Sequence, residues 1–583
     1  AGQVTTKGKR ANRPTKSTNK EKKQDHNPKK KFAGSGGGKP TPLQPSTPAE
    51  SRKIQQQKRE YRKSLRTHHD LVTQAKTYWE RIRDTVNVTA PERKKLIDEL
   101  LNIIKGLLMD LIRKHDGSRI IQTCIKYGNA AQRKLIFAEL EGHFLELAQK
   151  KYSRFLVNRF IDAASKPQRE IIFKEFYGNV MTMIKHKDAC EVIEKAYTCS
   201  TVYQKVLFVE EFYGNEFALF KAKETRTLKD ILKETPEKQD QIMTSITNVI
   251  NTLLTKGLIY LSISHHVLKE YYDNASPEQI REITGLLAPE LIHTVRTKFG
   301  AHVAATCVGY ATAKERKIII KSLKGNVVPV CQEPYGHMLV VKLLCVTDDT
   351  VLLGKAIVKE MIEGIDDLVT DGNGRLAFLQ ILAPESNRTR YFCPSSAQLL
   401  EPNEVLGPNN ILIPSCKKDS ETRRSELLAQ LGNEMMEYCS KHVSVLIRDK
   451  FGFAVLLETL LHAEGDKIAV IDEIISLIKK KPDTEDHVMA NPVASRFIKT
   501  LIVTNFSYQQ EDEEKVFADT VCLAISKNEV KWASTDYATA VIIALLKHES
   551  TGKLLKGRLQ EKRKQLDGSG ARGTKSILTL LEQ

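Results

Sequence analysis

The sequence predicts an all-α fold, an α-solenoid of about eleven three-helix repeats arranged in two lobes. Three observations predict it. Glycine recurs every 36 residues at Gly106, Gly142, Gly178 and Gly214. Two of these glycines lie in identical pentapeptides, Glu175-Phe176-Tyr177-Gly178-Asn179 and Glu211-Phe212-Tyr213-Gly214-Asn215. Apolar residues recur at three- and four-residue spacing and never alternate, so no sheet is expected. One such unit cannot bury its own apolar face, so neighbours cover it and the stack grows with one long concave surface.

Residues 1–66 carry 19 Lys and Arg against 4 Asp and Glu, so most of the net charge of +19 lies here and the remainder is nearly balanced. Lys, Thr, Ser, Pro and Gly dominate residues 1–50, with a Gly34-Ser35-Gly36-Gly37-Gly38 tract. This composition buries too little apolar area to offset chain entropy, so the tail is expected to be disordered. Lys22-Lys23 and Lys29-Lys30-Lys31 are spaced as in a two-part nuclear import signal. Residues 67–105 form a helical cap: Leu71, Val72, Tyr78, Trp79, Ile82 and Val86 recur at helical spacing and cover the first repeat.

Repeats occupy 106–388 and 424–583. In the first, Leu107 to Lys114 is a short helix, Asp116-Gly117-Ser118 opens a second over Arg119 to Tyr127, and Gln132 to Glu139 is a third. Counterparts of Gly117 fall at Tyr152, Ala189, Thr225, Ser264, Gly300, Gly336, Gly374, Gly452, Ala494, Ala538 and Gly573. The one long step, Gly374 to Gly452, holds Pro394, Pro402, Pro408 and Pro414. It reads as a loop at 389–423 inserted between the eighth and ninth repeats, interrupting their stacking and open to proteolysis.

The ten cysteines are scattered without a Cys-x-x-Cys pair, and Cys124, Cys307, Cys331 and Cys345 read as small core residues. No apolar run is long enough to cross a membrane. No phosphate-cradling glycine loop, Gly-x-Ser-x-Gly or His-x-x-x-His with a partner glutamate is present, so neither an enzyme nor a cofactor or metal is expected.

The segment Asp116-Gly117-Ser118-Arg119-Ile120-Ile121-Gln122 resembles the base-reading helix of a Pumilio (PUF) repeat. The resemblance covers about residues 105–583, and the repeat number, basic tail and late insertion are similar to the divergent nuclear branch of that family. It implies an RNA- and DNA-binding protein of the nucleus and nucleolus, acting in ribosomal RNA processing. Residues i and i+4 of a helix share a face about 5–6 Å apart, so two polar side chains there can grip one base edge. Residue i+1 stacks between bases.

By this pattern Ser118, Arg119 and Gln122 would read one base, adenine by resemblance. Later repeats depart. Ser153 and Arg154 precede Val157, Cys190 and Glu194 flank Glu191, and Ala301, His302 and Ala305 offer little to a base edge. What remains is often basic: Arg119, Arg154, Arg226, Lys229, His265, His266, Lys269, Arg496 and Lys499, with Lys150, Lys151, Arg159, Lys185, Lys187, Lys221 and Lys223 on flanking segments. Cations on one face attract phosphates whatever the sequence. The first expectation is therefore a monomeric scaffold binding RNA and DNA, single or double stranded, largely without sequence preference. A protein-holding nuclear solenoid is the second reading. A sequence-specific mRNA regulator is the third, and it needs a code this chain lacks.

Overall fold

A computed structural model describes residues 48, 52–53, 55–58, 61, 68–219, 226–406, 411–484, 486–510, 513–566, 568 and 570–582. The expected disorder of the tail, its import signal, and Lys221 and Lys223 therefore lie outside the described residues. Ala1–Asp70 and Leu71–Gln583 are two separate units. In the first, short helical stretches are described around residues 52–58.

In the second unit, helix Ala90–Ile104 follows Thr89, whose hydroxyl accepts the Glu92 N–H, with proline in the first turn. Repeat 1 then comprises Leu108–Ile112, His115–Tyr127 and Ala130–Leu140. Third helices begin at a reciprocal capping box: Asn129 with Gln132, Ser165 with Gln168, Thr201 with Gln204, Ser276 with Gln279 and Thr312 with Glu315. Second helices stack side by side, with first and third helices covering their apolar faces. The resulting core is continuous and includes Cys124, Cys307, Cys331 and Cys345.

The repeated glutamate and glycine form the joint between units. Glu175, near the end of the third helix of repeat 2, reaches back to the start of that repeat's own first helix, Phe144–Ala148, where its carboxylate accepts the N–H groups of Gly142 (2.8 Å) and Phe144 (2.6 Å). Glu211 does the same one unit later, for Gly178 (2.7 Å) and Val180 (3.0 Å). Gly142 and Gly178 turn at φ +84° and +81°, a conformation open to glycine at little cost. The carboxylate thus satisfies donors that a helix start leaves unpaired and favours the positive end of the helix dipole. Glu211 is buried. Replacing it with alanine strands two N–H groups, so Glu211→Ala is expected to lower unfolding free energy by about 1–3 kcal/mol, read by chemical denaturation.

Repeat 4 departs from the stack. Its second helix, Leu228–Glu234, packs against Ser262–Asn274 of repeat 5 but leaves the row. Cys190–Thr198 of repeat 3 packs directly on Ser262–Asn274 instead. The Glu194 carboxylate accepts the Ser262 N–H (2.9 Å), and the Tyr197 hydroxyl bonds His266 Nδ1 (2.9 Å).

The insertion is not a loose loop between repeats. It leaves repeat 8 after its second helix, Arg375–Leu382, and returns to that repeat's third helix, the first part of Ser420–Leu446, which kinks at His442. Stacking continues past it, and the Arg375 guanidinium lies 4.4 Å from the Phe451 ring of repeat 9. The insertion carries helix Pro394–Leu400 and strands Glu404–Leu406 and Leu412–Pro414, an antiparallel pair. Three buried cations hold it down. Lys342 donates to Leu399 O (2.9 Å), Glu401 O (2.5 Å) and Asn403 Oδ1 (3.0 Å). Arg316 donates to Ser415 O (3.2 Å) and Oγ (3.0 Å) as well as to three carbonyls of repeats 6 and 7. Arg423 donates to Cys345 O, Lys418 O and Asp348. Among the described residues the segment is therefore anchored on the repeats, and residues 407–410 lie outside them.

A second antiparallel pair, Ser507–Gln510 with Glu513–Val516, joins the second and third helices of repeat 10. These two hairpins correct the expectation of no strand. Both lie in connections between helices, where period-3.6 patterning says nothing. The segment after Gly573 is one closing helix, Thr574–Glu582, rather than a twelfth repeat.

Candidate nucleic-acid interface

Base-edge positions are mostly consumed by packing within and between repeats. Ser118 is buried, donates to Tyr152 O of repeat 2 (2.9 Å) and accepts from Gln122 Nε2 (3.0 Å). The one trio matching a base-reading code therefore holds repeat 1 against repeat 2. Ser153 is buried and donates to Leu147 O (2.7 Å), Val157 and Ala305 are buried, and the Glu194 carboxylate caps repeat 5. Thr227 and Asp230 form the capping box of Leu228–Glu234, so Arg226 precedes a helix rather than sitting on its reading face. Arg226 instead pairs with Glu234 (3.2 Å).

Several residues expected to meet phosphate are already engaged by neighbouring groups. Arg154 pairs with Glu191 (2.9 Å) and lies near Asp188 (3.6 Å), both of repeat 3. Lys269 is held by Asp273 and lies 3.7 Å from Glu270. His265 and His266 are not a surface pair. His265 is fully buried with Nδ1 against Thr297 Oγ1 (2.8 Å), and His266 stacks on Phe299 at 4.5 Å. Burial pushes both imidazoles down to about 4, with Lys269 and Lys205 adding to the effect at His266. Both are neutral at pH 7, so the unfolded chain takes up their protons first as pH falls. Stability is complete above the unfolded value of about 6.5 and is lost toward 4. Each ring is expected to cost about 2 kcal/mol between pH 7 and pH 5. The melting temperature should drop over that window, less steeply in His266→Phe.

Several cations that stay open lie along one edge. Successive second helices run side by side, so the loops entering them line up. In repeat 2 that loop carries Lys150 and Lys151, in repeat 3 Lys185 and Lys187, and in repeat 6 Arg296 and Lys298; all six side chains are exposed. Lys256 of repeat 5 reaches along this edge to Lys185 O (3.1 Å). Arg119 and Arg159 are exposed on second helices at the same end of the stack, as are Lys229, Arg496 and Lys499 elsewhere. Arg119 lies 5.6 Å from the ring of Trp79, which also carries Arg83 (4.8 Å) and donates from Nε1 to Thr123 (2.8 Å). Sequence reasoning placed Trp79 only in the cap. It missed Arg296 and Lys298, although their place ahead of Gly300 was a readable signal. The edge turns acidic at Glu333 and Asp371 of repeats 7 and 8.

Fold and interface together define a helical-repeat protein built from Pumilio-type units. The Pumilio-family RNA binding repeat matches residues 117–141 and 143–176, and the CPL (NUC119) domain matches residues 370–515. Pumilio homology domain family member 6 of Schizosaccharomyces pombe is 31% identical over 544 residues, covering 91% of this chain and 83% of that protein. Human Pumilio homolog 3 is 30% identical over 493 residues, covering 83% and 74%. The crystal structure of human Puf-A superposes with a TM-score of 0.76 at 29% identity, over 88% of this chain and 99% of that one. Human Puf-A in complex with DNA matches equally, with a TM-score of 0.76 over 89% and 100%. The chain belongs to the Pumilio homology domain family and is a Puf-A-like member of it. Sequence reading had divided the CPL match among the repeats ending at 388, the insertion at 389–423 and the repeats from 424.

Proposed function

We propose that this protein is a nucleic-acid-binding scaffold that grips the phosphate backbone of RNA or DNA, single or double stranded, largely without reading bases. One observation carries the proposal: most base-edge side chains are buried or bonded within or between repeats, while cations on the loops entering the second helices remain exposed along one edge. Lys and Arg contacts to phosphate position a strand but carry no sequence information. That human Puf-A has been solved with DNA supports the reading for a relative of this fold. A monomer in the nucleus and nucleolus, acting on precursor ribosomal RNA, is the setting we propose, supported by the one-signed basic tail. Competition among unrelated RNAs of equal length tests the absence of a code. Affinities should agree within a few-fold, whereas a hundredfold preference for one short element would overturn the proposal.

A further inference from the structure

At four positions the residue just before the Gly117 counterpart meets the unit before it. Asp116 meets Lys76 of the cap (2.5 Å) and Asp188 lies 3.6 Å from Arg154. Phe299 stacks on His266 at 4.5 Å with ring planes 20° apart, and Phe451 lies beneath the Arg375 guanidinium at 4.4 Å. In these aromatic cases the protein fills its own stacking slot between repeats.

The same register carries two further aromatic residues, Tyr335 in repeat 7 and Tyr537 in repeat 11. They remain 40% and 49% exposed, and neither shows a ring or cation–π partner among the described residues. The residue each slot would offer from the unit before is at least partly exposed. His302 of repeat 6 is 38% exposed with Nε2 3.4 Å from Asp273, and Arg496 of repeat 10 is exposed with no ion-pair partner among the described residues. Lys499 is exposed one turn further along the Arg496 helix. Tyr537 moreover sits at φ +65°, ψ −41°, a backbone conformation that L-residues other than glycine rarely adopt. A bulky aromatic held there is strained, and strain of this kind gathers at sites of function.

We propose that Tyr537 with Arg496, and Tyr335 with His302, form two open slots that each accept one unpaired nucleobase. The base would stack on the tyrosine ring opposite the guanidinium or imidazole, and Lys499 would meet the adjoining phosphate. Stacking tolerates any base, because every base has a π-face. This rests on the backbone-binding reading and adds to it a preference for single strands, since bases paired in a duplex are not free to enter. It also assigns a role to the second half of the array, away from the basic loops of repeats 2, 3 and 6.

The test uses the full chain with 2-aminopurine-labelled single-stranded RNA and a duplex of equal length. Tyr537→Ala should weaken single-strand binding about tenfold and reduce the quenching of 2-aminopurine, with duplex binding unchanged. Tyr335→Ala should act in the same direction, and Tyr537→Phe should retain binding. Tyr537→Gly should melt no lower than the parent, because glycine relieves the strain, yet bind the single strand as weakly as Tyr537→Ala. Normal single-strand binding by Tyr537→Ala, while reversal of the basic edge abolishes it, would overturn the slots and leave backbone binding standing. A fall in melting temperature for Tyr537→Gly with equal losses for both strands would make the residue structural and overturn them too. A parent that binds neither probe would overturn both readings.

Discussion

Reversing charge at Lys150, Lys151, Lys185 and Lys187 is expected to weaken binding to random RNA about 100-fold at physiological salt, equally for every sequence. The estimate takes a few-fold per lost phosphate contact and adds local repulsion where a strand would lie. All four side chains are exposed, so the variant should keep its helical circular dichroism. Arg154 is expected to behave differently, although its neighbourhood in the sequence is equally basic. Its guanidinium already serves Glu191 and Asp188, so Arg154→Glu should loosen the contact between repeats 2 and 3 more than it weakens binding. An open cation and a paired one look alike in sequence, and they separate only when the acids of the next repeat are in place.

Arg316→Ala is expected to cost about 3–5 kcal/mol, the largest effect on stability predicted for a single side chain here. The guanidinium is 3% exposed and donates to Val308 O (3.0 Å), Gly309 O (3.1 Å), Val346 O (2.6 Å) and both oxygens of Ser415. Removing it leaves carbonyls from three segments without donors in a space closed to bulk water. The insertion should detach first, because its polar anchors to repeats 6 and 7 are Arg316, Lys342 and Arg423, beside the apolar packing of Ala397 and Leu400. Hydrogen exchange across residues 392–406 and 411–418 would report this directly: slow in the parent, fast in Arg316→Ala. An unchanged pattern would mean that the insertion is held by something other than these cations.

The repeat itself was legible because its period is written in backbone demands. Glycine at positive φ and a glutamate that caps the first helix of its own unit recur where the joint recurs. The apolar spacing of each helix was legible for the same reason. Burial of the reading face was not, because Ser118, Ser153 and His265 are polar types that suit a ligand and a repeat interface equally well. Only their partners, Tyr152 O, Leu147 O and Thr297, decide between the two. The anchoring of the insertion was half legible: Lys342 lies in the otherwise apolar run Met338 to Val346, a place where a cation needs several acceptors. The departure of repeat 4 was hidden, since its capping box Thr227–Asp230 reads like any polar pair.

The central claim is that an edge of exposed cations holds phosphates. It is tested most directly by the salt dependence of binding to single-stranded RNA, compared between the full-length parent and the four-lysine reversal. The tail is common to both proteins and cancels in the difference. Each lost contact should flatten the slope of log affinity against log salt by about 0.7, so the two slopes should differ by about 3. Equal slopes would contradict the account, because they would mean that the edge carries no phosphate contact.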